Sequence, residues 1–217
     1  DWISLNGSTG DVYDGQVAVV DPELDGDFGA IMEIAAKYTK TLVRTNADTP
    51  RDARQARAFG AQGIGLCRTE HMFFEEPKLT SFQKMIISDS TEERKTNLAA
   101  ILPLQQKDFY NIIKTMEGRA VTIRLLDPPL NEFVQAETPE LASALAKKLG
   151  VSVDFINSKY AELNEHNPML GHRGCRLAIT YPEIYEMQVE AIALATAQAE
   201  KEGLKHDVRI MIPNVTT

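Results

Sequence analysis

The sequence predicts an α/β protein in which parallel strands are covered by helices. Short runs rich in β-branched residues alternate with longer stretches of helical spacing from residue 41 to the end. Alternation of this kind is typical of parallel sheets. A doubly wound sheet and a (β/α)₈ barrel both fit the pattern. A whole barrel needs about 250 residues, so a barrel here would be its first half, roughly four and a half strand–helix units.

Residues 1–40 differ from the rest of the chain. Short apolar runs alternate there with turn residues over residues 1–20, which predicts two or three small strands. A helix is predicted from Gly26 to about Lys40, because apolar residues recur at helical spacing: Phe28, Ile31, Ile34 and Ala35.

The later elements follow from local composition. Strands are predicted at 41–47, 63–67, 120–125 and 207–213, with a short strand-like segment near 169–171. The triplet Asp48-Thr49-Pro50 has a capping residue followed by proline, which is typical of a helix start. Further helices are predicted within 69–117 and over 138–149, 152–165 and 182–202.

Composition excludes several classes of protein. The 217 residues carry a net charge of −8 and contain no cluster of Lys and Arg, which argues against a nucleic-acid surface. No apolar run is long enough to cross a membrane. The two cysteines, Cys67 and Cys175, have neither disulfide nor metal spacing, so a reducing intracellular compartment is expected. No signal peptide or initiator methionine is present, and we expect a piece of a longer protein.

Three arginines are candidates for a binding site. Arg68, Arg124 and Arg173 are predicted at or near the carboxyl ends of strands, where α/β proteins bind ligands. A guanidinium is a planar fork of donors that suits carboxylate and phosphate oxygens, so the set predicts a small dianionic or trianionic ligand. The alternative is that these arginines form structural ion pairs, Arg68 with Glu70 and Arg124 with Asp127.

Other residues have weaker signals. Asp127 precedes two prolines and could orient an arginine or assist a metal, with orientation preferred. Glycines near the arginines could let the backbone approach a ligand or simply form turns: Gly63, Gly65, Gly171 and Gly174. The four histidines lack ligand spacing, so a structural, hydrogen-bonded role is expected for each, and only His172 is kept as a candidate. Neither a phosphate loop nor a dinucleotide fingerprint is present, so ATP binding is not expected within this chain.

Four long segments resemble the pyruvate phosphate dikinases, within the family of phosphoenolpyruvate-utilising enzymes. They are residues 44–50, 60–74 with Gly-Ile-Gly-Leu-Cys-Arg-Thr-Glu-His-Met, 122–130 with Arg-Leu-Leu-Asp-Pro-Pro-Leu, and 167–177 with Gly-His-Arg-Gly-Cys-Arg-Leu. The resemblance implies a barrel that binds phosphoenolpyruvate and pyruvate. It also implies that Arg68, Arg124 and Arg173 bind these substrates, with Asp127 in support.

The resemblance further implies a domain organisation. Residues 1–20 would be the tail of a swivelling phosphohistidine domain, 21–40 a linker helix, and 41–217 the first half of a TIM barrel. The parent would convert ATP, phosphate and pyruvate to AMP, pyrophosphate and phosphoenolpyruvate. It would use Mg²⁺ and form a homodimer, in the cytoplasm, a plastid or a glycosome.

Several parts of that enzyme are absent from the sequence. The carrier histidine motif, the nucleotide-binding domain, the acid cysteine and the magnesium ligands would all lie outside this chain, so we expect the isolated chain to contain no catalytic residue and to be inactive. Two alternatives stay open: a non-catalytic dimerisation or interaction module, and a phosphoenolpyruvate synthase-like enzyme.

Overall fold

The computed structural model of the chain describes residues 2–20 and 26–215. It divides into two compact units, Asp1–Thr41 and Leu42–Thr217. In the described part, no helix is long and apolar enough to cross a membrane.

The first unit contains a hairpin and one helix. Strands β1 (Ile3–Leu5) and β2 (Val12–Asp14) pair antiparallel. Helix α1 (Gly26–Tyr38) has no buried residue and ends two residues before the predicted Lys40. Residues 21–25 of the predicted linker lie outside the described residues.

The second unit is a parallel sheet with its crossover helices. The strands are β3 (Thr45–Asn46), β4 (Gly63–Arg68), β5 (Ala120–Arg124) and β6 (Asp207–Met211), and they lie in the order β3-β4-β5-β6. The crossovers hold α2 (Pro50–Ala58), α3 (Lys78–Ile87), α4 (Thr91–Met116), α5 (Pro139–Leu149), α6 (Val153–Leu163), α7 (Cys175–Thr180) and α8 (Pro182–Lys201), with 3₁₀ turns at Thr69–Phe73 and Leu130–Phe133.

The strand order decides between the two predicted architectures. A doubly wound sheet reverses its order at a switch point, whereas a barrel adds each new strand beside the last. The sheet here grows in one direction, and every pair of neighbouring strands in it is parallel. The unit is therefore the first half of a (β/α)₈ barrel, as predicted.

The helices begin where the sequence places capping residues. Thr49 accepts a hydrogen bond from the backbone N–H of Asp52 at 3.1 Å, and Pro50 fills the first helical position of α2. Ser90 and Ser152 cap α4 and α6 in the same way.

The main core lies between the sheet and its outer helices. Ile64, Cys67, Val121 and Ile123 of β4 and β5 pack against apolar residues of α2, α4 and α8, including Ala53, Phe109, Ile113, Ala191 and Ala195. Side chains alternate along a strand, so Arg124 points away from the layer that Ile123 joins. The core thus holds the helices on one face and leaves the strand ends and inner face for polar groups.

Two predicted strands differ from the structure, and one helix in it was not predicted. The 41–47 strand shrinks to Thr45–Asn46, and the side-chain oxygen of Gln62 instead accepts from the N–H of Val43 at 2.9 Å. Residues 169–171 form no strand, because Pro168 lies in a turn and the N–H of Leu170 bonds the carbonyl of Asn167 at 3.1 Å. The short helix α7 was not predicted.

Candidate functional site

Two of the candidate arginines end neighbouring strands. Arg68 is the last residue of β4 and Arg124 the last of β5, and the two are register partners in the parallel ladder. The strand ends are tied together by Thr69, whose hydroxyl donates to the carbonyl of Arg124 at 3.0 Å. The sheet therefore brings these two arginines to the same place at its carboxyl edge.

Arg124 lies in a buried network of charges. Its Nη2 donates to Oε1 of Glu70, and its Nη1 lies 3.4 Å from Oδ2 of Asp127. Both acids are almost fully buried. The predicted Arg124–Asp127 pair is present, whereas the predicted Arg68–Glu70 pair is wrong, because the Glu70 carboxylate turns toward the next strand and bonds Arg124.

Arg173 reaches the same network from a different element. It precedes α7 in a turn, and not in the strand predicted near 169–171. Its Nε donates to Oδ1 of Asp127 at 2.8 Å, and its Nη2 donates to the Asp127 carbonyl at 2.6 Å. Asp127 thus holds two arginines, the geometry expected of a residue that orients guanidinium groups.

The turn before α7 depends on Gly174. Its φ is +60°, a region that residues with a Cβ rarely adopt. An added Cβ would also lie 3.1 Å from Oδ1 of Asp127 and 3.0 Å from Cβ of Asn214. Asn214, which follows β6, donates its side-chain amide to the same Oδ1 at 3.0 Å. Gly174 therefore makes room for the carboxylate that binds Arg173.

The side chain of Arg68 differs from the other two. Its backbone N–H donates to Oδ1 of Asp48 at 2.5 Å, and Oδ2 of Asp48 lies 2.7 Å from Nδ1 of His71. Within residues 2–20 and 26–215, no acid or carbonyl bonds the Arg68 guanidinium. Its charge is consequently available to a ligand at the strand ends.

The buried network is incomplete in hydrogen bonds. Nε of Arg124 and Oε2 of Glu70 are buried and have no partner among the described side and main chains. Buried polar atoms in folded proteins are usually satisfied, and exceptions concentrate where a ligand or water completes the set. An anion at these strand ends would meet the Arg68 guanidinium, which no described residue pairs.

The described residues do not fit a magnesium site. No group of three or more His, Cys, Asp or Glu side chains is placed to hold a metal ion in that part of the chain. Glu70 and Asp127, the acids nearest the arginines, already bind guanidinium groups. In the described part of the chain, both carboxylates are therefore already engaged by arginines.

Other residues considered from sequence lie outside this network. His172 pairs its Nε2 with Oγ1 of Thr180 at 2.9 Å. Gly63, Gly65 and Gly171 are each approached by protein atoms, respectively the Ala120 carbonyl, the Arg44 side chain and the Glu165 carboxylate. Their close contacts are accordingly explained by packing within the protein.

Sequence reasoning missed several residues around the arginines. Asp48 and Asn214 follow β3 and β6, so the strand-end rule applied to every strand would have found them. Gln188 and Tyr185 also bond the backbone of Leu126, in the loop between Arg124 and Asp127. They lie on α8, far along the sequence, and no local pattern indicates that they contact this loop.

The fold and the strand-end arginines define a class of protein. The chain belongs to the family of PEP-utilising enzymes, through their PEP-binding domain, which matches residues 22–217.

Individual relatives are more specific. The chain is 49% identical over 216 residues to a pyruvate, phosphate dikinase of Rhizobium meliloti (strain 1021), covering 99% of this chain and 24% of that protein. The dikinase of Clostridium symbiosum is also 49% identical over 216 residues, 99% of this chain and 25% of its own length. Chloroplastic pyruvate, phosphate dikinase 1 of Arabidopsis thaliana is 48% identical over 218 residues, with 100% of this chain and 23% of the relative covered. The chain therefore spans about a quarter of the length of these curated relatives.

Proposed function

We propose that this chain is the segment of a pyruvate phosphate dikinase that supplies arginines for binding phosphoenolpyruvate and pyruvate. One observation carries the proposal: the guanidinium of Arg68, which no described residue pairs, ends β4 beside Arg124, which Glu70 and Asp127 hold at the end of β5. The near-50% identity to dikinases over the whole chain supports the same substrates.

The three arginines would have different roles in the site. Phosphoenolpyruvate carries a carboxylate and a phosphoryl group, and each presents oxygens that a guanidinium fork binds in a bidentate way. Arg68 would bind the ligand directly, and Arg124, whose side chain is 17% exposed, would add positive charge beside it. The guanidinium of Arg173 already donates two hydrogen bonds to Asp127. Its role would be to hold that carboxylate against Arg124.

Fixed positive charge is also what phosphoryl transfer requires. Charge shifts among the phosphoryl oxygens and the bridging oxygen during transfer, and preoriented guanidinium groups stabilise it without reorganising. The buried pairs of Arg124 fix its direction before a ligand arrives. The dikinase reaction, ATP, phosphate and pyruvate to AMP, pyrophosphate and phosphoenolpyruvate, would use this site in its pyruvate half.

The remaining parts of the proposal concern the parent protein. Residues 1–20 would end the phosphohistidine domain, 21–40 would form a linker helix, and 41–217 would form half of the substrate barrel. The parent would bring the phosphohistidine and nucleotide-binding domains and the ligands of Mg²⁺, and it would form a homodimer. We propose that the isolated chain has no dikinase turnover, and conversion of pyruvate to phosphoenolpyruvate by the pure chain would contradict this.

The direct test is a titration of the chain with phosphoenolpyruvate, followed by NMR chemical shifts. Replacing Arg68 or Arg124 with alanine removes charge-assisted hydrogen bonds and should weaken binding about 10- to 100-fold. The matched control is Arg119→Ala, which lies just before the opposite end of β5. Binding that is absent in the unmodified chain, or equally weakened by the control, would contradict the proposed site.

A further inference from the structure

The loop that joins Arg124 to Asp127 is held by helix α8. Leu125 still pairs with β6, through its N–H and the carbonyl of Met211 at 3.0 Å. Leu126 is the first residue beyond the sheet and is fully buried. Both of its backbone groups therefore need partners away from the strands.

Two side chains of α8 supply those partners. Oε1 of Gln188 accepts from the N–H of Leu126 at 2.8 Å, and the hydroxyl of Tyr185 donates to the Leu126 carbonyl at 2.8 Å. Tyr185 and Gln188 are three residues apart, so they lie on one helix face. Burial raises the pKa of Tyr185, with Asp127 adding to the shift, so the hydroxyl keeps the proton that it donates.

A second buried glutamine fixes the orientation of the first. A backbone N–H can only face the amide oxygen of Gln188, so the amide nitrogen of Gln188 must find an acceptor elsewhere. It donates to Oε1 of Gln105 on α4 at 3.0 Å. Nε2 of Gln105 in turn lies 3.8 Å from Sδ of Met72, in the 3₁₀ turn after Arg68. Both glutamines are 0% exposed.

We propose that Gln188 and Tyr185 are positioning residues for the substrate site, with Gln105 orienting Gln188. This inference rests on the proposed function. The two bonds to Leu126 set where Asp127 lies, and Asp127 sets the positions of Arg124 and Arg173. Apolar packing alone would not require two buried glutamines here, since polar groups are costly to bury.

The first test replaces Gln188 with methionine, which keeps the volume and removes the acceptor. Without a ligand, the loop from Arg124 to Asp127 will then move so that water can bond the Leu126 N–H. Ligand binding must reverse that movement, which costs binding free energy. We expect phosphoenolpyruvate to bind about tenfold more weakly. Tyr185→Phe should also weaken phosphoenolpyruvate binding, but by less. This variant replaces Gln188→Met as the test if Gln188→Met does not fold.

The controls separate position from stability. Gln83→Met removes another buried glutamine, which donates to the Phe133 carbonyl at 2.8 Å, and should lower the melting temperature with little change in affinity. Tyr110→Phe likewise removes a hydroxyl that donates to Glu202, on the surface. Equal affinity losses in the Gln188 and Gln83 variants would overturn the inference.

A readout without ligand distinguishes the two proposals. The Nε–H of Arg173 is bonded to Asp127 and should give a slowly exchanging ¹⁵N resonance, retained in Gln83→Met and lost or shifted in Gln188→Met. If the unmodified chain does not bind phosphoenolpyruvate, the proposed function fails and this resonance alone decides the positioning role. An unchanged Arg173 resonance in Gln188→Met would refute that role.

Discussion

At the residue scale, the two cysteines have different chemical surroundings. Cys67 lies in the core between β4 and the outer helices and is 0% exposed. Burial raises the pKa of its thiol far above the ordinary value, and nearby Asp48, Glu70 and Asp108 add to the shift. Cys175 is partly exposed at the start of α7, where its thiol donates to the carbonyl of Asn214 at 2.8 Å.

We expect only Cys175 to react with a disulfide reagent in the folded chain at pH 8. The reactive species is the thiolate, and the raised pKa of Cys67 keeps it protonated as well as inaccessible. Absorbance at 412 nm with Ellman's reagent is expected to show one fast thiol per chain and two after denaturation in guanidinium chloride. Cys175→Ser should abolish the fast phase, and Cys67→Ser should leave it intact; two fast thiols in the native chain would contradict the buried position of Cys67.

The site was predictable from sequence to the extent that it follows strand ends. Arg68 and Arg124 were found because a strand pattern stops at each of them, and the structure makes them register partners. The choice of partner was not predictable, because Glu70 lies two residues from Arg68 yet bonds Arg124 across the sheet. Such pairing depends on side-chain direction after the strand, which local composition does not encode.

At the element scale, α4 contains a proline at an interior position. Pro103 is exposed and lies near the middle of Thr91–Met116. Residues before it, Leu98 and Ile101, belong to one apolar cluster, and residues after it, Phe109 and Ile112, belong to another. Proline lacks an N–H and is therefore costly inside a helix.

Replacing Pro103 with alanine should stabilise the chain. Alanine restores the N–H that bonds the carbonyl four residues earlier, a gain of about 1–3 kcal/mol. The melting temperature in a calorimetric scan should rise by roughly 2–4 °C for each kcal/mol. The control is Lys107→Ala, one turn later on the exposed side of α4. It also introduces an alanine but restores no backbone N–H, so it should change the melting temperature little. A lower melting temperature for Pro103→Ala would show that α4 needs the proline to reach both clusters.

Helix starts with a clear local signal were more predictable than short elements without one. The helix starts at Pro50 and Pro182 carried clear signals, and both are first helical residues in the structure. The short α7 was missed because its six residues follow a glycine-rich turn and lack a side-chain cap. Its position depends on contacts across the fold, including the bond from the Cys175 N–H to the carbonyl of Pro213 at 3.1 Å.

At the scale of the whole molecule, the sheet has two open edges. In the described residues, β6 pairs only with β5, and β3 pairs only with β4. Exposed apolar residues lie in and just after β6: Ile210 in the strand is 45% exposed, and Ile212, which follows it, is 56% exposed. Unpaired edges of this kind are templates for pairing with another chain.

We therefore expect the isolated chain to self-associate through β6. Light scattering during size-exclusion chromatography should give a mass that rises above 24.1 kDa as concentration increases. Ile210→Lys places a charge on the edge, which opposes strand pairing and should weaken association by about tenfold or more. Ile179→Lys is the matched control, because that isoleucine is 80% exposed but belongs to helix α7 and not to a strand. A chain that stays monomeric at every concentration would show that the open β6 edge does not pair between copies. Equal effects of the two lysine substitutions would show that exposed apolar surface in general, and not the β6 edge, causes the association.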